Sequence, residues 1–180
     1  SLHEAAGIAI TTLLVYREPV VQDLIRAVKY DGSPHAAQLL ADVLGEYLRE
    51  EIAAIRSFST KPIFLIPVPL HAKREQERGF NQIRIILERL PQEFRDGTIT
   101  RVFDSALIRV RETESQTHLS REGRLLNMRD AFSLKDAAAV LGAYAFVIDD
   151  VTTTGATLAA AIRPLERLDI PTIPLAIAKA

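Results

Sequence analysis

Residues 143–157 read AYAFVIDDVTTTGAT. The first six residues form a continuous apolar run, the pattern of a parallel strand buried on both faces. Two adjacent carboxylates, Asp149 and Asp150, end the run. Small residues and threonines follow, and from Ala156 the stretch GATLAAAIRPLERL (155–168) has helical character. Pro164 lies inside that stretch and is expected to kink or end the helix. Strand, short loop and helix make one half of a β-α-β unit.

Moving outward, TIPLAIAKA (172–180) supplies the next strand, and KPIFLIPVPL (61–70) a second buried strand ending at Pro67 or Pro69. IAITTLLVY (8–16) is β-branched and apolar, a further strand. EPVVQDLIRAVKY (18–30) opens with Pro19 at a helix start, and DGS (31–33) breaks that helix. Residues 34–55 form a long amphipathic helix, with Leu39, Leu40, Val43, Leu44, Leu48 and Ile52 expected along one side. NQIRIILERL (81–90) is helical, and 97–110 holds a strand best placed at 106–110. Strands alternating with helices predict an α/β fold: a parallel sheet with helices on both faces, in one domain spanning 1–180. In such sheets ligands sit outside the carboxyl ends of the strands. The loops after Ile66 and Ile148 fall at two such ends.

Adjacent carboxylates at a strand end are costly without donors or a cation nearby. Sugar hydroxyls and a hydrated Mg²⁺ supply both. Between Thr152 and Thr157, small side chains let several backbone N–H groups converge on an anion at the start of the helix. A diol and a phosphate together describe a ribose 5-phosphate. The local alternative is that Asp149 and Asp150 cap a turn while the threonines satisfy nearby backbone groups. No Walker A lysine follows a glycine loop and no GxGxxG occurs, which argues against P-loop and Rossmann dinucleotide sites.

The strand–DD–TTTGAT–helix string closely resembles the 5-phosphoribosyl 1-diphosphate (PRPP) motif of type I phosphoribosyltransferases. AVKYDG (27–32), IPVPLHAKREQERGFNQ (66–82) and RVRETESQTHLSREGRLLNMRDAF (109–132) occur in the order found in the ComF/GntX branch, and the resemblance covers nearly the whole chain. It implies a type I phosphoribosyltransferase fold, with hood elements at about 1–60 that select the acceptor and a core at about 61–180. It implies that Asp149 and Asp150 contact ribose hydroxyls, with Mg²⁺ arriving on PRPP and in reach of both. Thr152, Thr153, Thr154, Gly155, Ala156 and Thr157 would cradle the 5′-phosphate. Val68, Pro69, Leu70 and His71 would meet pyrophosphate, with Arg74 and Arg78 close by. Arg109, Arg111 and Arg121, on a mobile loop running to Arg124, would neutralise charge on departing pyrophosphate. Each arginine is read equally well as part of a solvated surface. Asn81 is read as a helix cap, Phe80 as a core candidate, and KYDG as a helix end with no ligand role.

Composition bounds the alternatives. The chain has 180 residues, a net charge of −1 and no cysteine, which excludes disulfides, Cys-ligated zinc and thiol nucleophiles within it. Many members of the branch carry an N-terminal four-cysteine zinc module, and its part in partner recognition is not expected of these residues. The four histidines are scattered. No apolar stretch reaches membrane-spanning length, and the first residues lack the basic region of a secretory signal, so a cytoplasmic protein without membrane contact is expected. Three functions are expected to compete: Mg²⁺-dependent phosphoribosyl transfer to an unknown acceptor, a non-catalytic role in DNA uptake through single-stranded DNA or a competence helicase, and PRPP sensing. Near-neutral charge and few aromatics among the arginines weaken a strong nucleic-acid role. A homodimer is compatible with all three.

Overall fold

A computed structural model describes residues 1–70, 76, 78–110 and 131–180. A six-stranded sheet forms the centre, in the spatial order β1-β2-β8-β7-β3-β4. Its strands are β1 (Leu2–Ala5), β2 (Ile8–Val15), β3 (Ile63–Pro67), β4 (Arg101–Val102), β7 (Tyr144–Thr152) and β8 (Thr172–Lys179). All neighbours are parallel except β1 and β2, which form an antiparallel hairpin. That hairpin turns on Ala6 and Gly7, both with positive φ (53° and 77°), the signs that a two-residue hairpin turn requires. β1 is absent from the periodicity reading because LHEA has no apolar alternation.

A second difference concerns residues 97–110. The strand that enters the central sheet is β4, only two residues long. Leu107–Arg109, close to where a strand is expected, is β5. It leaves the sheet and pairs antiparallel with β6 (Phe132–Leu134). The apolar character of 106–110 reflects burial of Ala106 and Leu107 on the layer beneath the sheet, not membership of it.

Four helices complete the fold: α1 (Pro19–Asp31), α2 (Pro34–Arg56), α3 (Gln82–Glu88) and α4 (Ala156–Glu166). Pro19 and Pro34 each sit in the first turn, where no N–H is needed, and the Ser33 hydroxyl caps α2 by accepting from Ala36 N–H at 3.3 Å. α1 stops at Gly32, which takes a left-handed conformation. Ser33 N–H donates to the Ala27 carbonyl and Gly32 N–H to the Val28 carbonyl. α4 continues through Pro164 to Glu166. A proline so near the end removes one hydrogen bond, and the burial of Ile162 and Leu165 holds the turn in place.

Period-two alternation assigns the faces. Ile63, Leu65, Phe146, Ile148, Leu175 and Ile177 pack with α1, α2 and α3. Ile66, Ala145, Val147 and Ala176 pack with α4 and the β5–β6 layer. Leu44 and Leu48 of α2 are wholly buried, each contributing about 2 kcal/mol by removal from water. The chain leaves β3 for α3 and β4 on one side of the sheet. It leaves β7 for α4 and β8 on the other. Adjacent parallel strands whose connections diverge open a crevice between their carboxyl ends.

Candidate functional site

β7 outruns β3. Pro67 pairs with Ile148, Val68 N–H donates to the Ile148 carbonyl at 2.8 Å, and β7 then continues to Thr152 alongside β8 alone. Asp149 and Asp150 thus lie within the strand, in its overhang, not in the loop after it. The Asp150 N–H has no β3 partner there and donates instead to Asp149 Oδ1 at 2.9 Å.

Strand alternation gives the two side chains different surroundings, although their carboxyls remain within hydrogen-bond reach of one another. Asp150 shares the parity of Phe146 and Ile148 and turns toward α1 and α3. Its Oδ2 accepts from Gln82 Nε2 at 2.8 Å and lies 3.4 Å from Lys29 Nζ, while its Oδ1 accepts from Val151 N–H at 2.6 Å. Apolar side chains close this pocket, Ile25, Val28, Leu40, Ile86 and Ile177 among them. A carboxylate there requires donors. Gln82 in turn accepts at Oε1 from Arg78 Nη1 at 3.3 Å, and the Arg78 guanidinium lies over the exposed Tyr30 ring, 5.7 Å from its centroid.

Asp149 shares the parity of Ala145 and Val147 and faces the α4 layer. The residue keeps some accessible surface, but protein crowds its carboxyl. Desolvation, then the Asp150 charge, push its pKa from 3.8 up to about 7. The Asp150 N–H and the Lys29 ammonium oppose that rise, while a hydrogen bond between the two carboxyls adds to it.

The segment after β7 approaches the β1–β2 hairpin closely. Gly155 has φ +73°, and a Cβ there would stand 2.5 Å from Ile10 Cδ1 and 2.9 Å from Ala5 Cβ. Glycine is required both by backbone and by space. Gly155 also precedes the first turn of α4, and no side chain caps that turn. The N-terminal amides therefore have no competing side-chain acceptor. Thr152 is buried, Thr153 and Thr154 are exposed, and Ala156 and Thr157 are partly exposed.

The loop after β3 is built differently. Val68 is buried, its N–H is used by the sheet, and its carbonyl accepts from Asn81 Nδ2 at 3.0 Å. Pro69 has no N–H, so within 68–70 only Leu70 has a backbone donor to spare for a ligand. Asn81 is the cap expected of it: its Oδ1 accepts from Ile83 N–H at 2.9 Å. Phe80 is half-buried, with ring atoms 3.4 Å from where a Gly32 Cβ would lie. Arg109 closes β5 with its guanidinium 5.4 Å from the centre of the Phe132 ring. His71, Arg74, Arg111 and Arg121 lie outside the described residues.

Two residues escaped the sequence reading: Lys29, in a segment read only as a helix end, and Gln82. Both carry a visible signal. Lys29 follows Ile25 by four residues and Gln82 precedes Ile86 by four, so each is a polar residue on the edge of a buried helical stripe. Among the described residues no cluster of three or more His, Asp or Glu could hold a metal by itself. No helix among them is long and apolar enough to cross a membrane.

Fold and site define an α/β protein with a mostly parallel sheet and two carboxylates at the point where its connections diverge. No family model matches the chain. It is 34% identical over 143 residues to DNA utilization protein YhgH of Salmonella typhimurium, covering 78% of this chain and 59% of the relative. It is 30% identical over 163 residues to competence protein F of Haemophilus influenzae, covering 88% and 66%. It is 37% identical over 108 residues to competence protein ComFC of Bacillus subtilis, covering 60% and 40%. The chain thus spans about three-fifths of the length of the first of these relatives. These similarities support a place in the ComF family.

Proposed function

We propose that the crevice binds PRPP with Mg²⁺ and that the chain is a phosphoribosyltransferase-like protein serving DNA uptake or use. One observation carries the reading. The strand-end carboxylates Asp149 and Asp150 stand immediately before an uncapped helix N-terminus at a topological switch point. Asp149 and Asp150 accept the ribose hydroxyls, and the 153–157 backbone receives the 5′-phosphate. Mg²⁺ comes on the pyrophosphate, because the described residues lack a ligand set of their own. In transfer, the bond from C1 of the ribose to the pyrophosphate oxygen breaks with its electron pair on that oxygen, and an acceptor nucleophile bonds to C1. Arg78, with arginines of 109–124, neutralises the leaving group. The role in DNA handling is supported by the names of the relatives, a DNA utilization protein and two competence proteins.

Calorimetric titration of PRPP with Mg²⁺ tests the site. Micromolar-to-millimolar binding is expected for the wild type and none for the Asp149→Asn/Asp150→Asn double variant. Absence of binding by folded wild type sinks the PRPP reading. A second reading, non-catalytic DNA handling, is then examined with single-stranded DNA in the same titration.

A further inference from the structure

We propose that Lys29, seconded by Gln82, is a positioning residue of the crevice: it holds Asp150 in the orientation in which one carboxylate lone pair remains for a ligand hydroxyl. The proposal rests on the PRPP reading for its ligand but not for its geometry. Lys29 Nζ and Gln82 Nε2 both lie against Asp150 Oδ2, at 3.4 and 2.8 Å, and Val151 N–H takes one site on Oδ1. An ionised carboxylate offers about four acceptor sites. Three donors leave one, on Oδ1, and the neighbouring Asp149 carboxyl, which also hydrogen-bonds to Asp150, competes with a ligand hydroxyl for that remaining capacity. The pair is well enclosed, with side-chain exposures of 26% for Lys29 and 11% for Asp150, and the surrounding wall is apolar. Solvent screening is weak there, so removing one partner leaves the other charge poorly solvated. The Gln82 amide is also locked: Arg78 donates to Oε1, which turns Nε2 toward the carboxylate. Residues from two helices thus converge on one oxygen atom of the strand.

The experiment pairs binding with a ligand-independent reporter. Lys29→Met, Lys29→Arg, Asp150→Asn and the Lys29→Met/Asp150→Asn double variant are titrated with PRPP and Mg²⁺. Hydrogen exchange of the Gln82 side-chain amide is followed by NMR in the ligand-free proteins. We expect Lys29→Met to weaken PRPP binding at least tenfold, Lys29→Arg to restore it to within threefold, and Lys29→Met to have no further effect once Asp150 is Asn. The Gln82 amide protons exchange at least fivefold faster in Lys29→Met and at the wild-type rate in Lys29→Arg. A Lys29→Met effect that persists in the Asp150→Asn background overturns the proposal in favour of direct ligand contact. Unchanged Gln82 exchange overturns it whether or not PRPP binds. Accelerated exchange in a protein that binds no PRPP upholds the positioning role and removes only the PRPP reading.

Discussion

Asp149 and Asp150 are neighbours in the chain and occupy opposite electrostatic regimes. Asp150, on the α1–α3 side, meets an ammonium, an amide and a backbone N–H. Asp149, on the α4 side, meets one backbone N–H, crowding protein and its neighbour's charge, and its pKa rises to about 7. Strand geometry alone creates the contrast, because successive residues face opposite sides of the sheet. The two carboxyls stay close enough that the Asp150 charge raises the cost of ionising Asp149, yet their surroundings differ. One is compensated by its own protein, and the other gains by meeting an external donor or cation.

The comparison can be broken most severely at Gly155, which holds the α4 side against the β1–β2 hairpin. Gly155→Ala forces a side chain into the left-handed region and into contact with Ile10 and Ala5. We expect a loss of about 3 kcal/mol in urea denaturation. A loss below about 0.5 kcal/mol would show that the hairpin can move aside. Asp150→Asn is expected to cost about 2 kcal/mol, because it leaves the Lys29 ammonium partly buried without a counter-charge.

Asp149→Asn should act in the opposite direction. Between about pH 4 and 7 the native state holds the Asp149 proton while the unfolded chain, with its ordinary value of 3.8, releases it. Wild-type stability therefore falls as pH rises through that window and levels off above it. An asparagine carries no charge, so this contribution to the slope vanishes. The variant should be more stable than wild type at pH 8 by about 1–3 kcal/mol, read from denaturation midpoints at pH 5 and pH 8. Equal destabilisation by Asp149→Asn and Asp150→Asn would erase the asymmetry. The smallest effect is expected at Arg84, exposed on α3 and paired with Glu88 at 3.3 Å and Asp104 at 3.2 Å. Arg84→Ala should cost less than about 0.5 kcal/mol and leave PRPP titrations unchanged.

Much of this architecture is legible in the residues. Apolar runs at 63–67 and 144–148 mark strands buried on both faces, and helix starts are readable at Pro19, Pro34 and Asn81 because proline and capping side chains act within one turn. β1, β4 and β6 are not readable. Strands of two to four residues have too few side chains to set a period, and they exist only because a neighbour supplies their ladder.

The candidate site divides along the same line. By itself the sequence determined that two carboxylates, a run of small hydroxyl residues and a glycine lie consecutively at the end of a buried strand, since these are properties of adjacent residues. Only the tertiary structure decided that β7 outruns β3 and that Lys29 and Gln82, 121 and 68 positions away from Asp150, reach one of its oxygens. The physical reason is that side-chain ionic and hydrogen bonds act over a few ångströms. Chain separation carries no trace of such proximity until the helices have packed on the sheet.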